Sequence, residues 1–223
     1  MSVESFFYSV TIAIHVGCGT LAVLLGLAQL VREPGGPRHR RLGRQFVALL
    51  CGVVTTAVIG LVVFQFRAFL AVLTLLVAYW TFSGVRAVRM RDRGPTAVDG
   101  VVALTALTAV ATFVVFLPYV RLPWVAPITY STLGTLALVA SYDLTRFVFP
   151  QRWFVHLWRY EHIVKMTGAH AAVVAAFAGT VLAAWQPYSQ IVPSMIWTML
   201  QIGLVVREYR RHSLVPLDAR ASR

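Results

Sequence analysis

The chain has 223 residues, 58% of them hydrophobic and only 13% charged, with a mean hydropathy of +0.73. A water-facing domain carries roughly 25% charged residues, so this composition excludes a disordered chain and argues against a soluble one. Twenty basic residues against eight acidic give a net charge of +12, but they cluster between apolar stretches, as in cytoplasmic loops, and no nucleic-acid partner is expected.

Apolar runs long enough to cross roughly 30 Å of hydrocarbon at 1.5 Å per residue fall near 5–31, 45–66, 68–88, 98–117, 126–148, 161–184 and 189–206. The first starts almost at Met1 without a basic leader or a small-residue cleavage site, and reads as a retained helix. It carries His15, then Gly19, Ala22 and Gly26 at helical spacing, a small-residue stripe that should face another helix. Cys18, one turn after His15, and Cys51 lie in apolar runs and form no CxxC pair, so no disulfide framework or zinc knuckle is expected. Pro34, Gly35, Gly36 and Pro37 make the first connection a turn, and Gly94 and Pro95 do the same for the third.

Alternate connections hold the arginines: Arg32, Arg38, Arg40, Arg41 and Arg44; then Arg86, Arg89, Arg91 and Arg93; then Arg146, Arg152 and Arg159; finally Arg207, Arg210, Arg211, Arg220 and Arg223. The other connections hold only Arg67 and Arg121. The positive-inside rule then predicts an all-α, seven-helix bundle in the cytoplasmic (inner) membrane, with the N-terminus outside and the C-terminus cytoplasmic. Residues 1–206 form the transmembrane domain and 207–223 a basic cytoplasmic tail. Tyr119, Trp124, Trp185 and Tyr188 fall near the predicted outer ends, and Trp153 and Trp158 near an inner one, as aromatic belts do. No fixed-period repeat or inverted repeat is visible.

Ionisable groups inside a span cost roughly 2.5–3.5 kcal/mol at the helix centre unless paired or solvated, so the few present are informative. The sixth span is densest: Glu161, His162, Lys165, Met166 and His170, with Lys165 the only lysine in the chain. His162, Met166 and His170 step by four and form a ridge that could grip haem iron or another transition metal. Glu161, His162 and Lys165 are expected within the first turn from the interface, where side chains snorkel into water. Asp143 lies three residues before Arg146, which reads locally as an i,i+3 ion pair. Topology also brings Asp143 to the depth of His39, Arg40, Glu161, His162 and Lys165, a polar cluster suited to carrying protons, holding an anionic headgroup or binding a metal. His15 and His170 differ by roughly 7 Å in expected depth, a mismatch that tilt and a porphyrin could absorb.

The strings HVGCGTLAVLLGLAQL and PRHRRLGRQF carry an H-x3-G and an HRxxGR motif; DLTRF at 143–147, W-x3-H-x3-M across 158–166, the AAFAG ending and the closing IVPSMIWTMLQIGLVVREYR complete a pattern over most of the chain. This pattern resembles the multi-span bacterial membrane family DUF2306. The resemblance implies a bundle of about seven helices whose recurrent polar positions are His15, His39, Arg40, Arg44, Asp143, His162 and Met166. A distant likeness to cytochrome b561-type bundles also implies b-type haem, although their paired-histidine spacing is not reproduced here.

Three functions follow as expectations. One is a redox protein in which His15 and His170, or His39 and His162, ligate one haem b and electrons pass to or from a quinone or redox partner. The second is a proton-coupled transporter or permease relaying protons through Asp143, His162 and Lys165. The third is a seven-helix sensor or assembly subunit whose polar groups hold helices together. A retinal protein is excluded by the absence of lysine from the last span, and hydrolases by the absence of HExxH and GxSxG strings. GGPRHR is a turn and not a phosphate loop.

Overall fold

The computed structural model describes residues 3–32, 34–119 and 126–213, which fold into helices with no strand among them. Arg121, Trp124, Arg220 and Arg223 lie outside the described residues. Seven long helices follow in order: α1 (Val3–Leu30), α2 (Pro37–Ile59), α3 (Ala68–Met90), α4 (Ala97–Phe116), α5 (Ala126–Thr145), α6 (Phe154–Val181) and α7 (Tyr188–Ser213). All but α5 are both long and apolar enough to cross a membrane. The α5 run is diluted by Thr129, Tyr130, Ser131, Thr132, Thr135 and Ser141. Large apolar side chains point outward along α1 (Phe6, Phe7, Leu21, Leu24) and α7 (Met195, Ile196, Met199, Ile202), each more than half exposed. Such faces suit lipid and not water.

Local sequence places the helix starts. Gly35 takes a left-handed turn, φ +79°, open to a residue without Cβ. Gly36 is extended and Pro37 then opens α2 with its fixed φ. The helix therefore begins eight residues before the predicted 45, so His39, Arg40 and Arg44 stand on α2 itself. At α4 the Thr96 hydroxyl and the Asp99 carboxylate form a reciprocal capping box. Arg86 of α3 clamps both Asp99 oxygens at 2.7 Å and reaches Thr96 Oγ1, also at 2.7 Å, fixing the α3–α4 corner.

Buried positions concentrate on α3 and α6. α3 packs against α6, α5, α2 and α4; α6 packs against α3, α7 and α1. The α3–α6 approach depends on two glycines. A Cβ at Gly84 would lie 3.2 Å from Lys165 Cβ and 2.7 Å from Met166 Sδ; one at Gly168 would lie 2.6–2.8 Å from the Trp80 ring. A bulky residue at position 168 must push an indole aside, so Gly168→Leu is expected to cost about 1–3 kcal/mol or more. Trp80→Ala in the same chain should return part of that loss. Unfolding in mixed micelles reads both effects, and an unchanged midpoint in Gly168→Leu would contradict the close approach.

The arginine-bearing connections converge on one end of the bundle. Gln151 Nε2 donates to Asp92 O at 2.6 Å, Gly94 packs on Phe154, and Arg159 pairs with Glu208 of α7 at 3.5 Å. Arg91 and Arg159 flank the Trp158 ring at 5.8 and 5.2 Å. At the opposite end Tyr8 meets Phe64 and Phe66 meets Phe116.

Candidate functional site

Because α6 starts at Phe154 and not near 161, Glu161 and Lys165 stand two to three turns inside the helix. Both are buried, at 4% and 2% exposure, so the expected snorkelling into interfacial water is not what this structure places there. They face α5, which contributes Asp143, and Arg146 just beyond its last turn, again both buried. Two acids and two bases thus meet inside the bundle with no net formal charge.

Lys165 Nζ donates to Asp143 Oδ1 at 2.5 Å, and the Tyr79 hydroxyl of α3 donates to Asp143 Oδ2 at 2.8 Å. Arg146, the expected local partner of Asp143, is more distant, with Nη1 3.9 Å from Oδ1. Its Nε instead lies 2.7 Å from Glu161 Oε1, an ion pair whose N–H does not aim along a hydrogen bond. Tyr142 donates to that same Glu161 oxygen at 2.9 Å. Arg146 Nη2 and Glu161 Oε2 are buried and unpartnered among the described residues. The Phe154 ring covers the guanidinium at 5.5 Å. Ser83, one turn along α3 from Tyr79, also has a buried hydroxyl without a partner.

The predicted polar cluster is therefore reshaped. Asp143, Glu161 and Lys165 come together. Arg40 does not join them: it is exposed at the start of α2, and Arg146 occupies the cationic role expected of it. His162 turns to the other flank, donating Nδ1–H to Gly84 O at 3.0 Å, since a carbonyl only accepts. Met166 packs over the same glycine. Tyr79 and Tyr142 are the residues that sequence reasoning missed, along with the pairing of Arg146 to Glu161.

The histidines divide into separate places. His15 donates Nδ1–H to Thr56 Oγ1 of α2 at 2.9 Å, the Thr56 hydroxyl proton being directed to Gly52 O. Gly19 lies against Val53 and Gly26 against the His170 ring, so the small-residue stripe faces α2 and α6. His170 donates Nε2–H to Val23 O at 3.1 Å and accepts the Trp197 indole N–H at Nδ1, 3.0 Å. Its ring meets Val23 and Gly26, eight and eleven residues beyond His15, so the two histidines stand about 12–16 Å apart along α1 instead of the expected 7 Å. Both His170 nitrogens are engaged, so this pair does not fit the two axial positions of one iron, and His162, Met166 and His170 do not converge on one ion. His39 and His162 do share a level: the Phe46 and His170 rings are 5.8 Å apart, and stepping about two turns back along α2 and α6 leads to that pair. His39 lies near enough for its charge to act on His162, and its Nδ1 is buried without a partner. Among the described residues no three His, Cys, Asp or Glu side chains converge as a metal site.

An open groove of about 580 Å³ on the outer face of α4 is lined by Val101, Leu104, Thr105, Thr108 and Phe113, none of the charged centre. Its threonine hydroxyls bond back to their own helix, which leaves an apolar surface for lipid chains.

Compared with protein-family models, curated proteins and solved structures, the chain matches none.

Proposed function

We propose that this chain is a proton-translocating carrier of the cytoplasmic membrane, crossing it seven times with its arginine-rich end in the cytoplasm. The observation that carries the reading is the buried, charge-balanced group of Asp143, Arg146, Glu161 and Lys165 with Glu161 Oε2 and Arg146 Nη2 left open. Ionisable residues inside a membrane bundle are expensive and mark ion or proton paths by default. A purely structural clamp gains most when every donor and acceptor is satisfied, because an unpaired buried polar atom costs about 1–3 kcal/mol. Here the unpaired atoms are a carboxylate oxygen and a guanidinium nitrogen, groups able to accept a proton and to answer the change in charge. α5 supports the seventh crossing. Gly100 at the start of α4 meets Phe147 just past α5, and Leu117 just past α4 clusters with Leu133 of α5, so the two run antiparallel, and at 20 residues α5 spans about 30 Å despite its polar dilution.

Reconstitution into liposomes with a trapped pH dye, an imposed pH gradient and potassium with valinomycin as counter-ion tests the reading. Wild-type protein is expected to dissipate the gradient several-fold faster than Glu161→Gln at equal protein density. Identical rates for wild type, Glu161→Gln and empty liposomes would overturn it, leaving the four charges as a clamp between helices.

A further inference from the structure

Building on that proton-handling reading, we infer that Glu161 is the carboxyl that exchanges the proton, that Asp143 stays ionised against Lys165, and that Arg146 changes partner when Glu161 is neutralised. The two carboxylates differ in what each oxygen already holds. Asp143 has a donor on both: Lys165 Nζ on Oδ1 and the Tyr79 hydroxyl on Oδ2. A proton added to either oxygen would share it with a donor hydrogen already there and weaken a buried charge-assisted bond. Glu161 is asymmetric. Oε1 receives Tyr142 and faces Arg146, whereas Oε2 is buried with no donor on it, so a proton can sit there without displacing any bond.

The response follows from where the guanidinium stands. Arg146 lies between the carboxylates, 2.7 Å from Glu161 through Nε and 3.9 Å from Asp143 through Nη1, without an aligned hydrogen bond from Nε or Nη2. Protonating Glu161 removes one negative charge and leaves the group with an excess positive charge. The remaining anion is Asp143, so Arg146 is drawn toward it and competes with Lys165. The charged and titratable groups that face Glu161 are Arg146, Tyr142 and Asp143 from the α5 side and Lys165 from its own helix. α3 contributes Tyr79, whose hydroxyl holds the neighbouring Asp143. On this view Asp143 is the anchor and Arg146 the positioning residue.

Infrared difference spectra of the reconstituted protein, stepped from alkaline to acidic buffer, test the assignment without a transport assay. Wild type is expected to gain a protonated-carboxyl C=O band together with a shift of the arginine guanidinium bands. Glu161→Gln should lose both signals, Glu161→Asp should keep a carboxyl band at a displaced frequency, and Asp143→Asn/Lys165→Met should retain the wild-type band. A band that survives in Glu161→Gln and disappears in the Asp143 variant overturns the inference, as does a wild-type spectrum with no carboxyl band. A Glu161 band without proton flux would instead remove the carrier reading, and flux with the band on Asp143 would remove only this assignment.

Discussion

Lys165→Met is expected to cost about 3–5 kcal/mol of stability, because it leaves Asp143 buried and charged with the Tyr79 hydroxyl as its only remaining hydrogen-bond donor among the described residues. Arg146, at 3.9 Å, compensates only in part, since it is already committed to Glu161. Adding Asp143→Asn should recover most of the loss. The double variant removes one charge of each sign, so Arg146 and Glu161 remain as a neutral pair, and replacing both members of a buried ion pair is often close to neutral. Midpoints of unfolding in mixed micelles for wild type, both single variants and the double variant give the coupling directly. Single variants as stable as wild type, or additive losses, would show that the two side chains are not partners.

The second large effect is expected at His170, which ties three helices through one imidazole. It donates to α1 at Val23 O, accepts from α7 at Trp197, and lies edge-on to Phe46 of α2 with ring centroids 5.8 Å apart. His170→Ala opens a ring-sized cavity and strands the Trp197 N–H, together worth roughly 3 kcal/mol. His170→Phe keeps the volume and should lose only the hydrogen-bond part, about 1–3 kcal/mol, which Trp197→Phe on the same chain should largely restore. Thermal unfolding with Trp fluorescence separates these outcomes. Equal stability of His170→Ala and wild type would mean that the imidazole does not join these helices.

How far the sequence reaches is clearest residue by residue. Asp143, Glu161 and Lys165 are readable as a group, because charge inside an apolar run is costly enough to need a partner, and depth alone brings them level. Arg146 was readable only as the i,i+3 partner of Asp143; its burial and its pairing to Glu161 were not, since a cation at a span's end looks like a residue at the solvated boundary. Its burial follows from α6 starting seven residues earlier than its apolar run suggests: polar Arg159 and Glu161 mask a helix that packs from Phe154 onward. Tyr79 and Tyr142 carried no signal of their own, because tyrosine in a span is as often a packed ring as a donor. Tyr142–Asp143 and the Glu161, Lys165 spacing of four were the available hints. Arg40 was misplaced for the opposite reason. Depth put it with the cluster, but its position on α2 turns it outward. The histidines show the limit of periodicity: a four-residue ridge fixes a direction around the helix, while the partners on other helices, Gly84, Val23 and Trp197, decide what each ring does.

Everything proposed for the charged centre requires α5 to cross the bilayer, so that the arginine-rich turns share one face of the membrane. With Cys18 and Cys51 replaced by serine, single cysteines at Pro34, Arg93, Arg152, Tyr119 and Trp185 can be labelled in intact cells and in inverted vesicles with a membrane-impermeant maleimide. Pro34→Cys, Arg93→Cys and Arg152→Cys are expected to react only from the cytoplasmic side, and Tyr119→Cys and Trp185→Cys only from outside. Labelling of Arg93→Cys and Arg152→Cys from opposite sides would contradict it, because α4 and α5 would then no longer form a return crossing that carries Asp143 back to meet Lys165.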